Sequence, residues 1–334
     1  MIKAGIIGLG GIANSVHLPA LRHLNTVKLA AACDLIPEKT RETAKAYGIP
    51  SCYTSHLEML SREDLDCAFV LVPPDQTFRI AHDCLQHGLH LMIEKPAGIT
   101  AFQTGALLRL AEERDRIVLV GMNRRYIPLV RRVLERFGQL SDIHHVECTF
   151  LKHSDASFYG GCESAYICDT IHSIDLLSYI ADSDPQNAAT LIDTIDSPID
   201  NSWNSIIRFR NGRTGILKGG YRSGGRIHTV EIHGSCASAY LNLGFGGAEC
   251  SAKILHHEGT SSFSLSSAGA ATYNIEAFDG KEIAGSGEYW NYYGYLAEDR
   301  DFIDSILSGR QPLSGLKESC RSMLLAQFIL EHKL

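Results

Sequence analysis

Ile2-Lys3-Ala4-Gly5-Ile6-Ile7-Gly8-Leu9-Gly10-Gly11-Ile12-Ala13 opens the chain with an apolar run, a glycine-rich turn and the start of a helical pattern. Four more apolar runs follow within 125 residues: 27–33 ending at Asp34, 67–72 at Pro73-Pro74, 89–93 at Glu94-Lys95-Pro96, and 117–120 at Gly121-Met122-Asn123. Helical patterns at 38–47, 77–87 and 103–113 alternate with them, as in a doubly wound parallel sheet. The carboxyl ends of such strands share one edge, where ligands bind, so the five endings are expected to form one site. The first helix is expected to break and restart near Pro19, which suits an opening turn and not a helix interior.

Within that frame, Gly8-x-Gly10-x-x-Ala13 follows a strand, and Asp34 ends the next one about 20 residues on, the spacing of a dinucleotide fingerprint. Gly8 allows the tight turn, while Gly10, Gly11 and Ile12 bring backbone N–H groups toward a pyrophosphate. Ala13 keeps helix and strand close. Asp34 is placed to accept the ribose hydroxyls and to repel a 2′-phosphate, which favours NAD; NADP stays open because Lys39 or Arg41 can fold back. Pro73 is a rigid turn beside the nicotinamide side.

At 334 residues the chain exceeds the size of a single core, so two domains are expected: a dinucleotide-binding domain over 1–122 and an α+β domain over 123–334 for substrate binding and oligomerisation. No run reaches the roughly 18 apolar residues of a membrane span. A formal net charge of −7 disfavours nucleic acid or an anionic membrane as partner. No signal peptide precedes the first strand, and ten scattered cysteines without a C-x-x-C pair fit reduced thiols in a cytoplasm. Past Asn123 a helical pattern at 127–137 leads to an alternating stretch at 143–151 and a helix over 166–181. Strand candidates follow at 189–195, 203–210, 213–221, 227–233, 239–243, 252–255 and 272–278. This half reads as a large, mostly antiparallel sheet with helices on one face; Asn211-Gly212 predicts a type I′ hairpin, and residues 259–269 a surface loop.

Lys95 ends a strand at the crevice and precedes Pro96, so it is biased to an extended conformation that aims its ammonium off the sheet edge, with Glu94 beside it to hold it. Partial burial would move such an amine toward proton-shuttle duty; the alternative is a surface Lys–Glu pair. On the predicted helix, Cys168, His172 and Asp175 share one face, with Asp169 at its margin where it can orient the His172 ring. A core histidine satisfied by a local carboxylate is the alternative. A metal site from these residues lacks partner ligands, and no G-x-S-x-G elbow supports a Ser-His-Asp hydrolase. Asn123 can reach the cofactor amide or the lysine, and Arg125 and Tyr126 face either a polar ligand or the domain junction.

The fingerprint, Glu94-Lys95-Pro96, Gly121-Met122-Asn123-Arg124-Arg125-Tyr126, the 169–175 segment and the tail from Gly294-Tyr295-Leu296-Ala297-Glu298 to Gly309-Arg310-Gln311-Pro312-Leu313 together resemble the Gfo/Idh/MocA family. The resemblance implies a nicotinamide-dependent oxidoreductase acting on a sugar, cyclitol or related polyol, in a homodimer or homotetramer. It also implies that Lys95 is the general acid/base and that His172 and Asp169 assist. Where the family's acid stands four residues before the histidine, this chain has Cys168, and Asp169 stands three before it; Thr170 replaces a common glycine, and Gly160-Gly161 lie further upstream. Virulence-factor-like members with adjacent acids resemble this segment better. The departure leaves a second reading, a catalytically silent dinucleotide-binding regulator of the same fold.

Overall fold

The computed structural model describes residues 1–158, 163–244, 249–257 and 273–334; Gly160, Gly161 and the stretch 259–269 lie outside the described residues. Six strands form the first sheet: β1 (Ile2–Ile7), β2 (Val27–Cys33), β3 (Ser51–Tyr53), β4 (Cys67–Val70), β5 (His90–Ile93) and β6 (Val118–Val120). They are all parallel, in the order β3-β2-β1-β4-β5-β6. β4 is buried along its whole length, which is why its sequence is continuously apolar and does not alternate. The half-exposed edge strand β3 and the short helix His56–Arg62 carry no such signal and escape the sequence reading. Helices Pro37–Tyr47 and Pro74–Gln86 start with proline in the first turn, where the missing N–H costs no hydrogen bond. At Pro19 the first helix changes register without breaking: Ala13–His17 is a π-helical turn, and the Leu18 N–H bonds the Ala13 carbonyl before Leu18–Leu21 continues as α-helix.

The expected single boundary after residue 122 is not what the chain does. One compact unit comprises Met1–Tyr126, Ser157–Ile171 and Glu288–Leu324, the other Ile127–Ala156, His172–Gly287 and Leu325–Leu334. Burial explains the return: helix Tyr295–Ser308 carries Leu296, Phe302 and Ile303 into the first unit's core. The Phe302 ring meets Phe69 of β4 edge-on at 5.5 Å. Further along, the Val120 N–H of β6 donates to the Ser314 carbonyl at 2.8 Å, covering the sheet edge. A short pair, β8 (Ser157–Phe158) with β9 (Glu163–Ser164), also lies in this unit.

The second unit holds an eight-stranded sheet of β7 (Ile143–His153), β10 (Pro185–Asp193), β11 (Ser202–Phe209), β12 (Thr214–Gly220), β13 (Arg222–Gly234), β14 (Ala237–Leu243), β15 (Cys250–His256) and β16 (Asn274–Asp279). Its order is β10-β11-β12-β7-β13-β14-β15-β16, antiparallel except for β12 with β7. Val146, Cys148 and Phe150 pair with Ile232, Val230 and His228, giving a continuous buried face. Helix Pro128–Leu140 packs on β14 and β15. Asn211-Gly212 does turn between β11 and β12, but only Gly212 has positive φ, at 85°. The Gly212 N–H donates to the Phe209 carbonyl, so the turn is a three-residue loop ending in a left-handed glycine and not type I′. No helix among the described residues is long and apolar enough to cross a membrane.

Candidate functional site

Because β1, β4 and β5 are neighbours, Gly8, Pro73 and Glu94 end adjacent strands on one edge of the sheet. Gly8 is forced by geometry: its φ is 91°, and a Cβ there would sit 2.4 Å from the Leu71 carbonyl oxygen. Beside Gly10 and Gly11 a Cβ would meet nothing within 4 Å, so the loop keeps open room over the helix start. Gly11 and Ile12 are already helical, and since first-turn N–H groups have no carbonyl partner within a helix, this start offers donors for a diphosphate. Asp34 braces the loop, accepting the Leu9 N–H at 2.8 Å on one carboxylate oxygen and the Ile36 N–H at 3.0 Å on the other. Ala13 is fully buried against the core. These residues fit a dinucleotide: room at Gly10 and Gly11 for a pyrophosphate, and a carboxylate at the end of β2 for ribose hydroxyls.

At the end of β5, Glu94 is 8% exposed and works in two directions. One carboxylate oxygen accepts the Lys95 N–H at 3.0 Å, and the other lies 3.2 Å from Nε2 of His17. Gly121 makes the space, since a Cβ there would press on the Glu94 backbone at 3.3 Å. Lys95, whose peptide to Pro96 is cis, directs its Nζ to the Cys168 carbonyl at 2.6 Å. Cys168 therefore meets the lysine through its backbone, an interaction that any residue at that position can make.

Sequence reasoning missed His17 entirely. It is fully buried, with Nδ1 2.9 Å from Asp299 and Nε2 on Glu94. Burial by itself would favour the neutral ring, but the carboxylates of Asp299 and Glu94 outweigh it and hold the imidazole protonated, well above its ordinary range. Burial likewise works to raise Glu94, yet the hydrogen bond and charge of His17, with help from Lys95, keep it below the usual carboxylate range. Asp299 is pushed up by burial, and Glu298, also fully buried, is pushed up further by burial and by the charge of Glu94. The available signal was an acidic pair, Glu298-Asp299, inside an apolar helical stretch and a histidine on the core side of the first helix.

The helix over 166–181 is present, as a π-helical turn Tyr166–Thr170 running into α-helix Ile171–Ala181. The expected polar face of Cys168, His172 and Asp175 is not a separate face: Cys168 through Asp175 are all buried, so burial here has no 3.6-residue period. Asp169 belongs to the first unit, where its charge acts on Arg124; His172 belongs to the second, 4% exposed. The side chain of Asn123 is engaged inside the first unit, donating to the Tyr293 carbonyl at 2.9 Å and accepting from Arg124 at 2.5 Å. Arg125 donates to the Leu313 carbonyl, and the Tyr126 hydroxyl donates to Asp301 at 2.7 Å. Both side chains thus tie the end of β6 to the returning C-terminal segment, the packing role rather than a ligand-facing one. A cleft of about 590 Å³ lined by His90, Glu112, Arg116 and Lys317 opens at the opposite, amino-terminal edge of β5 and β6 and touches none of the candidates.

Comparison with known proteins agrees with this geometry. Residues 2–122 match the Gfo/Idh/MocA family, described as an oxidoreductase family with an NAD-binding Rossmann fold. The putative oxidoreductase YceM of Salmonella typhimurium is 25% identical over 197 residues, which is 59% of this chain and 62% of that protein. Inositol 2-dehydrogenase of Rhizobium meliloti is 24% identical over 255 residues, 70% of this chain and 73% of the relative. Among solved structures, UDP-N-acetylglucosamine 3-dehydrogenase GnnA from Acidithiobacillus ferrooxidans has the same fold, with a TM-score of 0.82 at 18% identity over 99% of this chain and 97% of that one. With its strand order, its glycine loop answered by Asp34 and its matched first 122 residues, the chain is similar over its first domain to the Gfo/Idh/MocA family of NAD-binding oxidoreductases.

Proposed function

We propose that the protein transfers hydride between nicotinamide C4 and a hydroxyl-bearing or keto carbon of a sugar, cyclitol or related polyol, with Lys95 as the general acid/base. The observation that carries this is Lys95 itself. Its ammonium leaves the sheet edge one strand away from the β4 ending and two from the glycine loop, held among the described residues by one carbonyl contact that a substrate hydroxyl can replace. The bound nicotinamide supplies the hydride chemistry. Gly8, Gly10, Gly11, Ile12 and Ala13 seat the diphosphate, Asp34 takes the ribose hydroxyls and so favours NAD over NADP, and Pro73 flanks the nicotinamide side. Lys95 takes the hydroxyl proton in oxidation and returns it in reduction, with His172 orienting the substrate or sharing that proton and Asp169 assisting.

The names of the relatives support a polyol or sugar substrate. The contact from Cys168 is a backbone one that any residue there can make, so turnover itself separates this reading from the silent-regulator one. The test is Lys95→Met assayed with NAD+ and a panel of myo-inositol, D-glucose, D-xylose and UDP-N-acetylglucosamine. NADH binding by fluorescence is expected to persist while turnover falls about 10²–10⁴-fold. Unchanged turnover in the variant, or tight NADH binding by the natural protein with no turnover across the panel, defeats the proposal.

A further inference from the structure

Behind Lys95, three buried side chains from three separate parts of the first unit touch in series: Glu94 at the end of β5, His17 in the first helix, and Asp299 in helix Tyr295–Ser308. We propose that His17 is a positioning residue for Lys95: clamped between Asp299 and Glu94, it fixes the carboxylate that receives the Lys95 backbone N–H, and so holds the backbone from which the side chain reaches the Cys168 carbonyl. The inference rests on the reading of Lys95 as acid/base.

The geometry supports a link and not mere packing. Glu94 uses one oxygen for His17 and the other for the backbone N–H of Lys95, so rotation of its carboxylate cannot satisfy one partner without losing the other. A neutral histidine has one N–H and can donate to one carboxylate only, so both contacts as donors require the doubly protonated ring. The groups facing His17 are Glu94 from β5, Asp299 and the Tyr295 ring at 5.6 Å from the C-terminal helix, and Phe69 from β4. Glu298, on the same helix, has both carboxylate oxygens without a hydrogen-bond partner among the described residues, and its electrostatic neighbours are Glu94, His17, Asp299 and Arg124. Burial, then the charge of Glu94, pushes the Glu298 carboxyl up, and of the two acids only Glu94 touches His17 on the lysine side. Loss of the His17 proton would free Glu94, and Lys95 would lose its fixed aim.

Competitive acetylation with acetic anhydride, read by peptide mass spectrometry and normalised to the exposed Lys39 and Lys45, reports this link without a substrate. In His17→Gln, which cannot carry the charge, Lys95 should label about fivefold faster than in the natural protein, the equivalent of one hydrogen bond, at every pH. In Asp299→Asn, His17 keeps only one of its two carboxylates, so the rise should set in above a pH lower than that at which the natural protein shows it. Should His17→Gln fail to fold, Asp299→Asn and the natural protein's own alkaline rise decide the matter. Normalised labelling that stays flat up to pH 10 in the natural protein, or that is the same in all three proteins, overturns the proposal. Lys95→Met turnover tests the reading underneath, and acetylation tests only the path from His17, so either can fail alone.

Discussion

Alanine at Gly8 and at Gly10 should separate what the loop does for the fold from what it does for the cofactor. At Gly8 the added Cβ would sit 2.4 Å from the Leu71 carbonyl oxygen and 2.8 Å from its carbon, and the φ of 91° is one that L-residues avoid. The conformation costs about 1–2 kcal/mol. Backing away from Leu71 strains two sheet bonds, Gly8 N–H to Cys33 and Leu71 N–H to Ile7, each worth about 1 kcal/mol. Gly8→Ala should therefore lose about 3 kcal/mol, a large share of the roughly 5–15 kcal/mol that holds a domain together. At Gly10 a Cβ meets nothing within 4 Å, so Gly10→Ala should melt within about 0.5 kcal/mol of the natural protein. Its methyl group would instead occupy the diphosphate's approach. Losing one charge-assisted N–H contact at about 1.5–3 kcal/mol weakens NADH by about ten- to a hundredfold. Urea melts and NADH fluorescence titrations read the two effects. Natural NADH affinity in Gly10→Ala would refute the placement of the diphosphate, and a loss under about 1 kcal/mol in Gly8→Ala would refute the backbone clash.

Three further outcomes follow from the same geometry. Burial, then the charge of Glu94, raises the Glu298 carboxyl, so its folded pKa lies above the unfolded value of about 4.3. Its favourable contribution is complete below that value and is lost as pH rises toward the folded pKa. Glu298→Gln should thus flatten the fall of Tm above pH 5 and stabilise the protein at pH 8; an unchanged slope speaks against a buried acid. Phe302→Ala empties a fully buried site against Phe69 and should cost about 3–5 kcal/mol in urea melts, whereas a loss near zero would detach helix Tyr295–Ser308 from the first core. Asp34→Ser removes the carboxylate that braces the Leu9 N–H and is proposed to take the ribose hydroxyls, so NADH affinity should drop about tenfold while NADPH gains; equal preference before and after would reject Asp34 as the selector.

Periodicity and turn chemistry made the parallel sheet legible because its strands are buried on both faces and end in glycine, proline or charge. The same signals placed every strand of the second sheet to within a few residues, since one of its faces is buried and the pattern alternates. They failed at β3 and helix His56–Arg62, which are too short and too exposed to show a period. The face reading failed on the helix at 166–181, where a π-helical turn and burial from all sides erase amphipathicity.

The sequence by itself determined the sheet order's parallel grammar, the dinucleotide loop with Asp34, and Lys95 at a strand end, because these depend on local conformation and spacing. Only the tertiary structure decided that residues 288–324 return to complete the first core, that Cys168 meets Lys95 through its carbonyl, and that Arg125 and Tyr126 are spent on anchoring. It alone joined His17 to Glu94 and to Asp299, 282 residues away along the chain. Long-range contacts of this kind have no period and no motif: they arise when distant side chains are buried together, where an acid and an imidazole stay charged only by meeting one another.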